Sequence, residues 1–333
     1  MNKFSSVINS INRDKDKPLR IISFSTHEGF QLSMAGCNAQ YIMIDGPEGK
    51  KWDNDYRKMP SNIIEIPLDG FYNKVEYADL VLSHTINQRG LAQRIADDFL
   101  IPHINLNHIY PDKNLPTRAI ELIKRENRAN ATVFTTEDQR NSWGYDSNNS
   151  TIIGHGIDTK HFDGWNMKNG KILTVANDFD TRGSELGFDL YTSIVNAIGK
   201  QNFLHIGKSK TGFSKPAKDY DELAKIYRES NIFINTCYRS VIPTTLLEAM
   251  ATGMPVVSTI NPTVDELIKN GENGFKAKSD KEMVDYIIGL SRDTSLCKKM
   301  GDSARRTIIE RYSLEKFVNN WDSLFSKTIG GNE

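Results

Sequence analysis

Short apolar runs ending in polar residues alternate with helical segments along the chain, and the alternation restarts midway. Parallel strands need crossovers long enough to hold a helix, so this pattern predicts sheets covered by helices on both faces. RIISFS at 20–25 opens it, followed by the loop THEGF, a helix through Ala35 and the strand AQYIMI. ADLVLSH at 78–84, the helix INQRGLAQRIADDF and the strands IPHINLNH and ATVFTT continue the first half, with Leu91, Ile95 and Phe99 on one helix face. KILTVAND restarts the pattern after DGWNMKNG, and NFLHIGKS, SNIFINTC and MPVVSTI follow. The expectation is an α/β protein of two doubly wound domains facing a central cleft, with a glycine-rich joint near Gly164 to Gly170. The first domain is expected over residues 1–160 and the second over 161–312. A last amphipathic helix at 313–330 carries Leu314, Phe317, Val318, Trp321 and Leu324 on one face and is expected to pack back on the first domain.

Composition narrows the function classes. The 333 residues suffice for two cores, and 38% hydrophobic with 25% charged residues is a globular balance. Lys plus Arg equals Asp plus Glu at 42 each, so no overall field draws the chain to nucleic acid or anionic lipid. Cys37, Cys237 and Cys297 are odd in number and widely spaced, which argues for a reducing compartment and against a disulfide framework or zinc site. The opening MNKFSSVINSINRDKDK lacks a signal-peptide apolar stretch, and no run reaches the ~20 apolar residues of a membrane span. A cytoplasmic location is therefore expected. Phe4, Val7, Ile8 and Ile11 suggest a short amphipathic helix packing on its own protein. No P-loop, H-E-x-x-H or G-x-S-x-G is present.

Chemistry concentrates in SVIPTTLLEAMATGMPVVST, residues 240–259. Pro243, Thr244 and Thr245 stand where a loop turns into a helix, and the free amides of such a first turn, backed by the helix dipole, suit a diphosphate. Glu248 lies one turn further along an otherwise apolar helix, where a carboxylate can accept two ribose hydroxyls. The plainer alternative is a solvated helix carboxylate followed by ordinary helix-to-strand punctuation at Gly253.

In that order and spacing the chain resembles the retaining GT-B glycosyltransferases of family 4, glycosyl transferases group 1. ATVFTTEDQRNSW, TIIGHGIDTKHF, ILTVANDFDTRGSELGFDL, YRESNIFINTCYRSVIPTTLLEAMATGMPVVST and DELIKNGENGF carry the likeness over most of residues 131–320. THEGFQ and PTTLLEAM also look like the compact GT-B enzymes of phages and large viruses, for which the location would be a host cytoplasm. The resemblance implies two Rossmann-like domains and transfer of a sugar, with retention and without a metal or other cofactor. The donor would be a nucleoside diphosphate sugar, with a UDP-sugar favoured. Two departures stand out. The family has a second glutamate in a Glu-Gly-Phe-Gly segment eight positions before Glu248; here that position is Ser240. The family's Arg and Lys after the first strand of the donor domain correspond to Asn177 and Arg182. Arg182 can neutralise leaving-group charge; Asn177 cannot, and Lys208 or Lys215 in GKSKTGFSKP is a candidate replacement unless both simply sit in a solvated loop.

On the acceptor side, Gly29 permits close backbone approach, and His27 and Glu28 beside it are candidates to face the cleft. His108 ends IPHINLNH where related enzymes often place a polar group beside the transferred sugar. His84 is a weaker candidate, and His155 in GHGID is expected to stabilise the joint. The implied catalytic set is Arg182, His108 and Glu248. The acceptor stays open between a saccharide or lipid-linked glycan and a hydroxymethylated DNA base. Arg118, Lys124, Arg125 and Arg128 would form a phosphate-contacting stripe in the second case and a solvated helix face in the first. A GT-B sugar-nucleotide epimerase and a non-catalytic sugar-nucleotide-binding protein are the alternatives, the latter suggested by the missing first glutamate.

Overall fold

The computed structural model describes residues 17–45 and 52–330, with Ile8. The opening helix expected around Phe4, Val7 and Ile11 lies outside the described residues. The chain divides into two compact units, one of Met1–Gly156 with Glu315–Glu333 and one of Ile157–Leu314. Ile157 N donates to Tyr312 O at 2.8 Å and Ile157 O accepts from Leu314 N at 2.9 Å. Those two bonds tie Ile157 to the second unit, so the division falls ahead of the boundary expected after residue 160.

The first unit holds a seven-stranded parallel sheet in the order β3-β2-β1-β4-β5-β6-β7. Its strands are β1 (Leu19–Phe24), β2 (Ala39–Asp45), β3 (Ile63–Pro67), β4 (Leu80–Ser83), β5 (His103–Leu106), β6 (Ala131–Phe134) and β7 (Thr151–Ile152). β1 is central and Ile21, Ile22, Ser23 and Phe24 in it are buried, as a strand covered on both faces requires. The crossovers carry α1 (Glu28–Met34), α2 (Phe71–Lys74), α3 (Ile86–Phe99), α4 (Thr117–Arg125) and α5 (Glu137–Ser142). α3 coincides with the segment read from the sequence and buries Ile95 and Phe99, together with Gln88, Ala92 and Ala96. Ile22, Phe24, Ile42, Val81, Ile95 and Phe99 belong to one core cluster.

The second unit has a five-stranded parallel sheet in the order β12-β11-β10-β8-β9. The strands are β8 (Ile172–Val175), β9 (Phe203–Ile206), β10 (Ile232–Asn235), β11 (Val256–Thr259) and β12 (Phe275–Ala277). Between them lie α6 (Gly183–Leu186), α7 (Phe188–Ile198), α8 (Tyr220–Glu229), α9 (Thr244–Thr252) and α10 (Pro262–Leu267). α11 (Asp280–Arg292) and α12 (Thr294–Tyr312) complete the unit. α9 is the most enclosed: every residue from Leu246 to Thr252 is buried. Its end is fixed by Gly253 in the left-handed conformation at φ 89°. α12 presses against that cap through Gly301, where an added Cβ would stand 1.9 Å from Gly253 O.

The last helix, α13 (Leu314–Gly330), buries Phe317, Trp321, Leu324 and Phe325. Phe317 and Trp321 meet Phe30 of α1 edge-on at 5.3 and 6.2 Å, and Asp322 Oδ1 accepts from Asn38 N at 3.2 Å. Among the described residues no helix is long and apolar enough to cross a membrane.

Candidate functional site

In each sheet the strand order reverses beside its first strand, at β1/β4 and at β8/β10. Connections leave to opposite faces there and open a crevice beyond the carboxyl ends of the strands, where ligands of open α/β sheets bind. The candidate residues follow those ends: Asn177 and Arg182 after β8, Ser240 and Pro243 after β10, and His27, Glu28 and Gly29 after β1.

In the second unit, Pro243 is the N-cap of α9 and offers no side-chain cap. Leu246 N and Leu247 N both donate to Pro243 O, so the amides of Thr244 and Thr245 precede the first intrahelical bond. Glu248, one turn in, is 9% exposed, which removes the reading of a solvated helix carboxylate. Tyr227 of α8 donates its hydroxyl toward Glu248 Oε2 at 3.1 Å. Sequence reasoning passed over Tyr227, which sits in the apolar face of another helix with nothing local to mark a partner. Ser240, standing where the family has its first glutamate, donates its hydroxyl to Val241 O at 2.7 Å, and its carbonyl accepts from Thr263 Oγ1 at 3.0 Å.

The loop after β8 is clasped to the loop after β9. Asn177 Oδ1 accepts from Lys208 N at 2.8 Å and Asp178 N donates to Lys208 O at 2.7 Å. Asn177 thus fastens the two loops to each other. Gly207 between β9 and Lys208 is obligatory, since an added Cβ would lie 1.9 Å from Ala176 O. Lys208 and Lys215 are both exposed, with Lys215 O accepting from Gly207 N at 3.1 Å. Arg182 is exposed at the N-terminus of α6 and lies 3.5 Å from Glu185. The turn that holds it docks on the end of β10: Glu185 O accepts from Tyr238 N at 3.1 Å, and Leu186 O accepts from Thr236 Oγ1 at 2.8 Å.

In the first unit, His27 caps α1 by accepting from Phe30 N at 3.2 Å, and Glu28 Oε1 accepts from Asp53 N at 3.2 Å. Gly29 is approached by Arg57, whose Nη1 would stand 3.2 Å from an added Cβ. His84, His108 and His155 gather around Phe30 at ring distances of 5.9, 4.6 and 5.9 Å. His84 and His108 lie edge to edge in nearly parallel planes, with His84 Nδ1 and His108 Nε2 3.2 Å apart, and His27 lies 6.1 Å from His108, ring to ring. Burial, then the neighbouring imidazole of His27, pushes His84 and His155 down to about 3. Burial, then His84, His27 and His155, holds His108 well below the ordinary histidine range. His84 is buried, His108 and His155 are half-buried and His27 is exposed, and the lowered values of the first three keep them neutral near pH 7. His155, expected at the joint, makes its ring contacts inside this array, because β7 ends just before it at the same sheet edge. Among the described residues no group of three or more His, Cys, Asp or Glu is arranged to hold a metal ion.

The basic helix α4 buries no residue, and the cations at its end and just beyond it have neighbouring partners. Lys124 donates to Gly144 O and lies over the Tyr145 ring, Arg125 pairs with Glu126 at 3.3 Å, and Arg128 pairs with Asp97 at 3.0 Å.

Residues 205–307, within the second unit, match the family model described as glycosyl transferases group 1, with Glu248 inside the matched stretch and Arg182 ahead of it. The chain is 27% identical over 107 residues to N-acetyl-alpha-D-glucosaminyl L-malate synthase of Bacillus anthracis, which covers 32% of this chain and 28% of that protein. The chain spans less than half the length of the curated relatives it matches. Its fold is that of Anabaena HepE, solved with UDP and glucose, at a TM-score of 0.73, 12% identity and coverage of 92% of this chain and 99% of the other. Sucrose-phosphate synthase of Thermosynechococcus elongatus gives a TM-score of 0.71 at 13% identity, covering 94% of this chain and 100% of the other. The chain has the α/β GT-B fold.

Proposed function

We propose that this protein transfers a sugar from a nucleoside diphosphate sugar, a UDP-sugar foremost, to a saccharide hydroxyl with retention of configuration. The observation that carries the reading is Glu248, a buried carboxyl one turn inside α9 behind the free amides of Thr244 and Thr245. Glu248 holds the ribose hydroxyls and the amides of Thr244 and Thr245 take the diphosphate, with the helix dipole behind them. Arg182 meets the charge that develops on the departing phosphate, assisted by Lys208 or Lys215, in the place a metal ion takes elsewhere. The bond between the anomeric carbon and the phosphate oxygen breaks while the acceptor oxygen bonds on the same face. The acceptor proton passes to the departing phosphate. His27, Glu28, Gly29 and His108 serve the acceptor side. HepE, solved with UDP and glucose, supports a UDP-sugar, and relatives named sucrose synthase and probable sucrose-phosphate synthase support a saccharide acceptor. The engaged charges of α4 give no support to a DNA acceptor.

Thermal unfolding with UDP, GDP, ADP, CMP and their sugar conjugates tests the donor. One nucleotide is expected to stabilise the wild type and to lose that effect in Glu248→Ala. Stabilisation surviving in the variant would remove Glu248 from the donor site. Ser240 in place of the first glutamate favours a second reading, a sugar-nucleotide-binding protein without turnover. Release of free nucleotide in the presence of an acceptor decides against it.

A further inference from the structure

The histidine array contains a hydrogen-bond chain whose polarity is fixed at one end. Ser23 Oγ lies 3.2 Å from Leu82 O and 2.8 Å from His84 Nε2. Leu82 O can only accept, and the serine hydroxyl has one proton. Satisfying both contacts therefore requires Ser23 to donate to Leu82 O and to accept from His84 Nε2–H. His84, neutral, then has a bare Nδ1, and the 3.2 Å contact to His108 Nε2 is satisfied only if His108 carries its proton on Nε2. The reverse polarity would set the hydroxyl oxygen of Ser23 against the Leu82 carbonyl with no proton between them. Ser23 and His84 are both fully enclosed, at 0% and 1% exposure, so water does not offer an alternative partner. His84 is further held by its own amide, which donates to Gln88 Oε1 at 2.9 Å.

We infer that Ser23 and His84 are positioning residues that lock His108 in its Nε2–H tautomer, leaving Nδ1 as an acceptor for a saccharide hydroxyl. Among the described residues no hydrogen bond reaches His108 Nδ1. A neutral imidazole so oriented accepts from an O–H and offers nothing to a carboxylate or phosphate, so it selects a hydroxyl-bearing ligand by polarity alone. The hydroxyl belongs either to the transferred sugar or to the acceptor. The inference rests on the transferase reading for the identity of the ligand, whereas the tautomer lock is a property of the free protein.

Long-range nitrogen–proton spectra of the full chain labelled with ¹⁵N-histidine, assigned with His108→Gln, read the lock without any ligand. His108 is expected protonated on Nε2 and bare on Nδ1 at pH 7. A His108 protonated on Nδ1 overturns the inference. Ser23→Ala removes the group that sets the polarity, and a second His108 tautomer is expected to appear; an unchanged tautomer removes Ser23 from the positioning role. Titration then identifies the hydroxyl. Movement of the Nδ1 signal with UDP-glucose but not with UDP assigns it to the donor sugar, and movement with glucose alone assigns it to the acceptor. No movement with either sugar, or movement with UDP alone, overturns the hydroxyl assignment. Absence of any nucleotide effect on thermal unfolding would sink the transferase reading separately, with the tautomer result untouched.

Discussion

Tyr227 Oη lies 3.1 Å from Glu248 Oε2 and 3.1 Å from Thr245 O, so one phenolic proton serves two acceptors on the first turns of α9. The hydroxyl ties α8 to the carboxyl proposed to hold ribose. Tyr227→Phe keeps the ring, which packs edge-on against Phe162 at 5.6 Å, and removes the hydroxyl from both acceptors. Leaving a buried acceptor short of a donor costs about 1–3 kcal/mol, so UDP affinity is expected to fall by about five- to a hundredfold. Calorimetric titration with UDP and 2′,3′-dideoxy-UDP checks the cause. Loss for UDP alone places the effect at the ribose, whereas equal loss for both would make Tyr227 a packing residue.

Arg182 is exposed and its recorded partner, Glu185, stands 3.5 Å away. A loose surface pair of this kind contributes about 0–1 kcal/mol to stability, so the guanidinium is available to a ligand at little cost. Arg182→Ala is expected to lower kcat by about 10²–10³, the usual effect of removing a charge-stabilising donor, with Tm unchanged. Steady-state kinetics with the identified donor measures it. Turnover near the wild-type level would take Arg182 out of the mechanism.

Much of the geometry around Glu248 was legible because its signals are local. Pro243, the two threonines, Glu248 and Gly253 fall within one helix and its caps, and the cap glycine does adopt the left-handed conformation. β3 and β12 were passed over for a physical reason. β3 buries Ile63 but exposes Ile64 and Glu65, and β12 has only three residues, so neither offers the periodicity that marks a strand. Tertiary partners were equally silent. Tyr227 reaches Glu248 from another helix, and Ser23, His84, His108 and His155 come from four different strand ends that only sheet order brings together. At α4 the basic stripe was visible, but the partners of Lys124 and of Arg128 beyond the helix, Gly144 O and Asp97, were not.

Gly301 is a second case of information held by packing. It lies mid-helix in α12, where glycine costs about 1 kcal/mol relative to alanine, yet an added Cβ would stand 1.9 Å from Gly253 O. Gly301→Ala must push α12 away from the cap of α9, and overpacking of this kind destabilises by about 1–3 kcal/mol. Gly289 in α11 provides the contrast, since nothing lies within 4 Å of its added Cβ. Gly289→Ala is expected to stabilise by about 0.5–1 kcal/mol. Urea denaturation of both variants reads the two signs, and a stabilised Gly301→Ala would refute the close approach of α12 to α9.

The histidine array makes stability depend on pH in a defined direction. His84 and His155 titrate at about 3 in the folded chain and His108 lies well below the ordinary range, burial being the first cause in each case. Unfolded, each regains a value of about 6.5. Above that pH both states are neutral and the array has no effect. Below it the unfolded chain binds protons that the folded chain refuses, so stability rises with pH and is lost as pH falls from about 6.5 toward 3. Each histidine can withdraw up to about 1.4 kcal/mol per pH unit in that window. Urea midpoints at pH 7.5, 6 and 5 are expected to decrease in that order, more steeply below pH 6. His84→Gln removes one of the refused protons and should flatten the dependence. An equally steep fall in that variant would assign the acid sensitivity to other groups and leave the array without a protonation penalty.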